Sequence, residues 1–173
     1  MSRRRAREFA LQALYQSDIS GDAAAEGIPG LWSGQVDGGL ESKAAEPSEI
    51  EFSETVVAGV DARREEIDKL IDDASENWRI QRMPVVDRNI LRLATFELID
   101  SQEVPASVCI NEALELAKRF GDKQSRAFIN GILDRIAAMI GRGGRRQKKG
   151  RLHSCFAFSL SSRGYMAAAH SQG

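Results

Sequence analysis

The chain of 173 residues, with 42% hydrophobic and 28% charged content, fits one domain with appendages or at most two small ones. Cys109 and Cys155 are too few and too scattered for a disulfide framework or a zinc site, no apolar run reaches transmembrane length, and the basic start lacks the continuous apolar segment of a secretory signal. The net charge of −1 conceals an asymmetry: residues 141–173 hold seven of the 24 basic residues and no acid, leaving 17 bases against 25 acids, a net −8, for residues 1–140, and an acidic body with basic ends meets polyanions locally.

Arg3-Arg-Arg-Ala-Arg-Glu-Phe-Ala-Leu-Gln-Ala-Leu-Tyr15 opens an amphipathic helix. Ala6, Phe9, Ala10, Ala13 and Leu14 share one face at the helical period, and the helix is predicted to end near Ser17 or Asp18. Arg3, Arg4 and Arg7 cluster beside that face, and Arg5 points away. Cations at a helix N-terminus oppose the macrodipole, so helix stability alone does not explain them. The guanidinium fork suits phosphate. A nucleic-acid backbone and a merely solvated terminus are the two readings of this segment.

From Ser20 to Pro47 glycine and acids dominate, and only Ile28, Leu31, Trp32, Val36 and Leu40 are larger apolar groups. This is the composition of a flexible acidic insertion over about 20–47, with one short turn docked through Leu31 and Trp32. Helical periodicity resumes at Ser48, an expected N-cap with Glu51 at the capping-box spacing. The apolar positions Ile50, Phe52, Val56, Val57, Val60, Ile67, Leu70, Ile71 and Ala74 then predict two helices, or one bent near Gly59–Asp61. Trp78 to Met83 is a connector, and Pro84 stands at or just before the next helix start.

Val86 to Asp100 reads as a helix with Val86, Ile90, Leu93, Ala94 and Leu98 on one side. Glu97 falls inside that stripe, so pairing with an N-terminal arginine or with Arg92 is expected. Pro105 enforces a turn over 101–105. A helix over about 107–120 turns Cys109, Ile110, Ala113, Leu114, Leu116, Ala117 and Phe120 inward. Lys118 and Arg119 fill its last turn, and Gly121 stands as its C-terminal cap. The last helix, from Ser125 or Arg126 to Ile140, buries Phe128, Ile129, Ile132, Leu133, Ile136, Met139 and Ile140. Gly131 within it points to the close approach of another helix. No alternating strand pattern is present, so the body over 1–140 is expected to be all-α with short connections. The tail over 141–173, basic and then rich in Ser and Ala, has no core of its own and reads as disordered.

Both histidines, His153 and His170, lie in that tail, so no ordered His-based acid/base or metal site is expected. No phosphate-binding glycine loop of recognised spacing occurs. No enzyme activity, metal or cofactor is expected, and the compartment expected is the cytoplasm.

Four stretches, in order, resemble one family. They are the arginine segment above, Val86-Asp-Arg-Asn-Ile-Leu-Arg-Leu-Ala94 followed by Phe96-Glu-Leu98, Ile110-Asn-Glu-Ala-Leu-Glu-Leu-Ala-Lys-Arg-Phe-Gly121, and Phe128-Ile-Asn-Gly-Ile-Leu-Asp134. Together they look like the NusB family of transcription antitermination factors. The resemblance implies two small antiparallel helix bundles with about six to seven helices and no catalysis. It also implies binding of the boxA element of nascent ribosomal RNA with the ribosomal protein partner NusE, within an RNA polymerase antitermination complex. Matched by position, Arg3, Arg4, Arg5 and Arg7 would face RNA, as would Gln124, Ser125, Arg126 and Phe128 between the last two helices. Tyr15 and Asp87 would lie toward the protein partner. The residues alone also place Phe128 on an apolar stripe, where a core position competes with a base-stacking one. The exposed arginine helix is further a surface that a homodimer would cover, in competition with RNA. Rival readings are a helical protein–protein scaffold and a module related to the RNA-binding front end of ribosomal RNA methyltransferases; the chain is short for the latter's catalytic domain.

Overall fold

The computed structural model describes residues 3–22, 24, 45–76 and 78–143. Six α-helices and no strand lie among them: α1 (Arg3–Ser20), α2 (Pro47–Ala62), α3 (Arg64–Ala74), α4 (Val85–Asp100), α5 (Ala106–Phe120) and α6 (Ser125–Met139), with a 3-10 turn over Ile80–Arg82. The all-α expectation holds. The docking of Leu31 and Trp32, and the tail from Gly144 with His153, Cys155 and His170, lie outside the described residues. No helix among the described residues is long and apolar enough to cross a membrane.

Helix α4 is the hub, in contact with all five other helices. Its sequence reads as one-sided, yet every residue from Asn89 to Leu98 is buried, as a helix enclosed by neighbours must be. The polar groups on it are therefore met by partners from other helices. Arg7 near the start of α1 pairs with Glu97 near the end of α4, and Asp18 near the end of α1 pairs with Arg88 near the start of α4, so these two helices run antiparallel. Arg92 does not take Glu97; it pairs with Asp68 of α3 and with Asp18. Between these polar contacts, Leu14, Ile67, Leu91, Leu93, Ile129 and Leu133 belong to one continuous apolar core, each contributing about 1.5–3 kcal/mol. The helix groups α1–α2 and α5–α6 meet on α4 and share that core.

The ends of the helices follow local chemistry. Helix α1 extends to Ser20, two or three residues past the expected end. The chain beyond it stays tied down, because the Ala24 amide donates to Asp61 Oδ2 at 3.1 Å. Helix α2 starts at Pro47, with Glu46 as N-cap; the Glu49 carboxylate accepts the Glu46 amide at 3.2 Å. The capping pair is thus Glu46/Glu49, not Ser48/Glu51: Pro47 suits the first helical position, where a missing N–H costs nothing. The break between α2 and α3 falls at Arg63. Gly59 serves another purpose, since a Cβ there would lie 2.2 Å from Cζ of Phe96. The close approach expected at Gly131 is instead here; a Cβ at Gly131 would meet nothing within 4 Å. Gly121 ends α5 as expected, but at an ordinary φ of −89. What it supplies is space, because a Cβ would crowd Ser125 Cβ at 2.6 Å. Met139 is 49% exposed, not buried as its place in the periodicity suggested.

Ordered structure continues past Ile140. Gly141 has φ 76, its amide bonds to Ala138 O at 3.2 Å, and the Arg142 amide bonds to Ala137 O at 2.7 Å, a Schellman cap. The Arg142 guanidinium then donates to the carbonyls of Leu98, in the last turn of α4, and of Ser101 and Val104, in the turn that follows it. Arg142, grouped by composition with the tail, is thus a packing residue of the body.

Candidate nucleic-acid interface

The four arginines of α1 have four different surroundings. Arg3 is exposed. The Arg4 side chain is 53% exposed and lies 3.6 Å from Glu112 and 3.7 Å from Glu115, both on α5. Arg5 is only 20% exposed; its guanidinium is 3.6 Å from the Glu49 carboxylate and 5.3 Å from the centre of the Phe9 ring. Arg7 is buried. Its Nε donates to Glu97 Oε1 and Oε2 at 3.0 and 2.9 Å, its Nη2 to Oε1 at 2.8 Å, and its Nη1 to Glu112 at 3.3 Å. A guanidinium held by two carboxylates, 5.5 Å from the Phe52 ring and only 6% exposed, is sheltered from a phosphate arriving from solvent. Arg7, expected to face RNA, is therefore corrected to a structural residue, and it meets the expectation that Glu97 is neutralised by an N-terminal arginine. No acid occupies the first turn of α1, so Arg3 and Arg4 stand at a positive helix end.

The second stretch is a tight turn into α6. The Asp122 carboxylate accepts the amides of Gln124 at 2.7 Å and Ser125 at 2.9 Å, and the Ser125 hydroxyl accepts the Asp122 amide at 2.9 Å. Those amides, with the Ser125 hydroxyl, hold Asp122 below the usual carboxylate range. Gln124 and Arg126 are exposed, as is Lys123. Ser125 is 2% exposed, which takes it out of direct reach of a ligand and makes it part of the turn's scaffold. Phe128 is partly buried against the core, so its apolar role dominates.

Asp87 is buried as well. Burial pushes its carboxyl above the usual range, the Ser125 hydroxyl offsets this in part, and the charge of Asp122 adds to it. Asp87 thus supports the turn from behind and is not available to a partner in this conformation. Tyr15 is 41% exposed and Ile19, one turn further on, 62%; together they give α1 an apolar outer strip. Cys109 is buried with its thiol pushed up by that burial, and is an inert core group.

The sequence placed Lys118 and Arg119 in the last turn of α5 and gave them no role at the site. They line, with Arg4, Glu8, Glu115 and Leu116, a cleft of about 250 Å³ between α1 and α5. The available signal was Glu8, an acid next to the apolar stripe of α1, which needs a cation from elsewhere.

An all-helical scaffold with exposed cations at one helix start and a polar turn at another has the outline of a helical binding module. Residues 4–138 match the NusB family. The "Transcription antitermination protein NusB" of Myxococcus xanthus is 45% identical over 139 residues, 80% of this chain and 96% of that protein. The solved structure of T. maritima NusB has a TM-score of 0.69 at 35% identity, covering 80% of this chain and 92% of that one. A crystal structure of the antitermination factors NusB and NusE in complex with dsRNA has a TM-score of 0.68 at 27% identity, covering 80% and 99%. The chain belongs to the NusB family, whose members are antitermination factors and not enzymes.

Proposed function

We propose that this chain binds the boxA element of nascent ribosomal RNA, together with NusE, and promotes read-through by RNA polymerase in the cytoplasm. The observation that carries the reading is the start of α1, where Arg3 and Arg4 remain solvent-exposed at a helix end whose dipole disfavours them. Their destabilising placement is explained by a polyanionic ligand. Arg126 and Gln124, exposed at the start of α6, add a second contact to the strand, and Arg5, next to Arg4 on α1, lends a partly covered charge. The outer strip of α1 at Tyr15 and Ile19 is the surface we assign to the protein partner.

Titration of a boxA-containing single-stranded RNA, with and without NusE, tests this. Each phosphate contact on a single strand contributes about −0.7 to the log–log salt slope, so Arg3, Arg4, Arg5 and Arg126 together give a slope of about −3. The variant R3A/R4A is expected to lose about 1.4 of it while keeping the thermal midpoint. NusE binding without RNA binding would replace this reading with the protein scaffold.

A further inference from the structure

Arg119 lies in the last turn of α5, outside the residues assigned to RNA above. Its Nη1 donates to Oε1 of Glu8 at 2.5 Å, and its guanidinium carbon is 5.3 Å from the centre of the Phe120 ring. Glu8 is almost wholly buried, yet the Arg119 side chain keeps 48% of its surface exposed. One terminal nitrogen thus serves a buried carboxylate while about half of the side chain still meets solvent at the cleft between α1 and α5. Arg4 and Lys118 line the same cleft. Of its two carboxylates, Glu8 is neutralised by Arg119, and Glu115 is a partly exposed group 3.7 Å from Arg4.

We propose that this cleft is a phosphodiester-binding site, with Arg119 as its fixed ligand and Arg4 and Lys118 flanking it. The proposal rests on the RNA-binding reading above and extends it to a surface of α5. Fixation is the physical point. A free arginine loses much rotamer freedom when it grips a phosphate, whereas Arg119 has already lost it in folding, to Glu8 and Phe120. The planar fork can serve a carboxylate at one edge and a phosphate at another, which a lysine ammonium does less well. Charge alone would not need such an arrangement; a surface lysine with no partner would do.

The test is fluorescence anisotropy with two labelled single-stranded RNAs, one containing boxA and one a scrambled strand of the same length, from about 0.1 to about 1 M salt. R119Q is expected to make the slope shallower by about 0.7 on both strands, and so to weaken binding about five-fold at 0.1 M relative to 1 M. If R119Q alone unfolds because Glu8 loses its partner, E8Q/R119Q removes both charges and carries the same expectation. A folded variant whose slope is unchanged, while R4A lowers the slope, overturns the proposal and leaves the RNA reading intact. A loss confined to the boxA strand overturns it too, because that would be base readout. An unsubstituted chain that captures neither strand ends the RNA reading and this proposal with it.

Discussion

Replacing Arg7 with alanine separates the two roles that an N-terminal arginine can have. Arg7 makes three hydrogen bonds to Glu97 between 2.8 and 3.0 Å and one to Glu112 at 3.3 Å. Both members of the Arg7–Glu97 pair have side chains only 6% exposed. Removing one partner of such a pair leaves an uncompensated charge in the interior and costs about 3–5 kcal/mol. For a chain of this length, that lowers the thermal midpoint by about 6–20 °C. Replacing both partners with apolar residues, Arg7→Met with Glu97→Leu, is expected to recover most of the loss, since a buried ion pair and a well-packed apolar pair are often of similar stability. The assay is thermal and urea denaturation followed by circular dichroism, paired with RNA titration at a temperature where the variants are folded. The R7A salt slope on RNA is expected to equal that of the parent. A variant that melts within about 2 °C of the parent, or about 1 kcal/mol, yet loses slope would refute the reasoning and return Arg7 to the RNA surface.

Glu115→Gln removes a carboxylate 3.7 Å from Arg4 in a pair whose side chains are 53% and 39% exposed. Exposed pairs contribute about 0–1 kcal/mol, so stability should hold while RNA affinity rises by up to about five-fold at low salt; unchanged affinity would place Arg4 outside the contact. Gly59→Ala and Gly131→Ala should differ in sign in urea denaturation. The first drives a Cβ to 2.2 Å from Phe96 and costs about 1–3 kcal/mol. The second enters open space within a helix and gains about 1 kcal/mol. Burial opposes ionisation of Asp18, but hydrogen bonds from Arg88 and Asn89 and the charges of Arg92 and Arg88 prevail and lower its pKa. The stability it contributes is therefore complete above its ordinary value of 3.8 and is lost as pH falls through the lowered one. Asp18→Asn should flatten the acid limb of a midpoint-against-pH curve, and an unaltered limb would count against the pairing.

Much of the fold could be read from apolar spacing, because a 3.6-residue period survives whatever the helix packs on. The stripe of Ala6, Phe9, Ala10 and Leu14 and the inward set of α5 needed no tertiary information. What did need it was anything set by a helix crossing. Arg3 and Arg7 are alike in sequence, yet one meets water and the other meets Glu97, 90 positions away. The only sequence trace of that contact was a carboxylate inside an apolar stripe. In the same way Gly59 and Gly131 both stand in helices, and only the position of Phe96 tells them apart. Asp87 and Ser125 were placed on binding surfaces by the family resemblance, and both are buried. Their mutual packing behind the Asp122 turn joins segments 35 or more positions apart, beyond any local pattern.

The docking of Arg142 has a practical consequence. A version of the chain cut after Ile140, where helical periodicity stops, would keep all six helices and still be incomplete. The carbonyls of Leu98, Ser101 and Val104 would lose their shared donor, and the last turn of α6 its closing amides. The packed body thus ends on a side chain outside every helix, and trimming by secondary structure alone would remove its fastening.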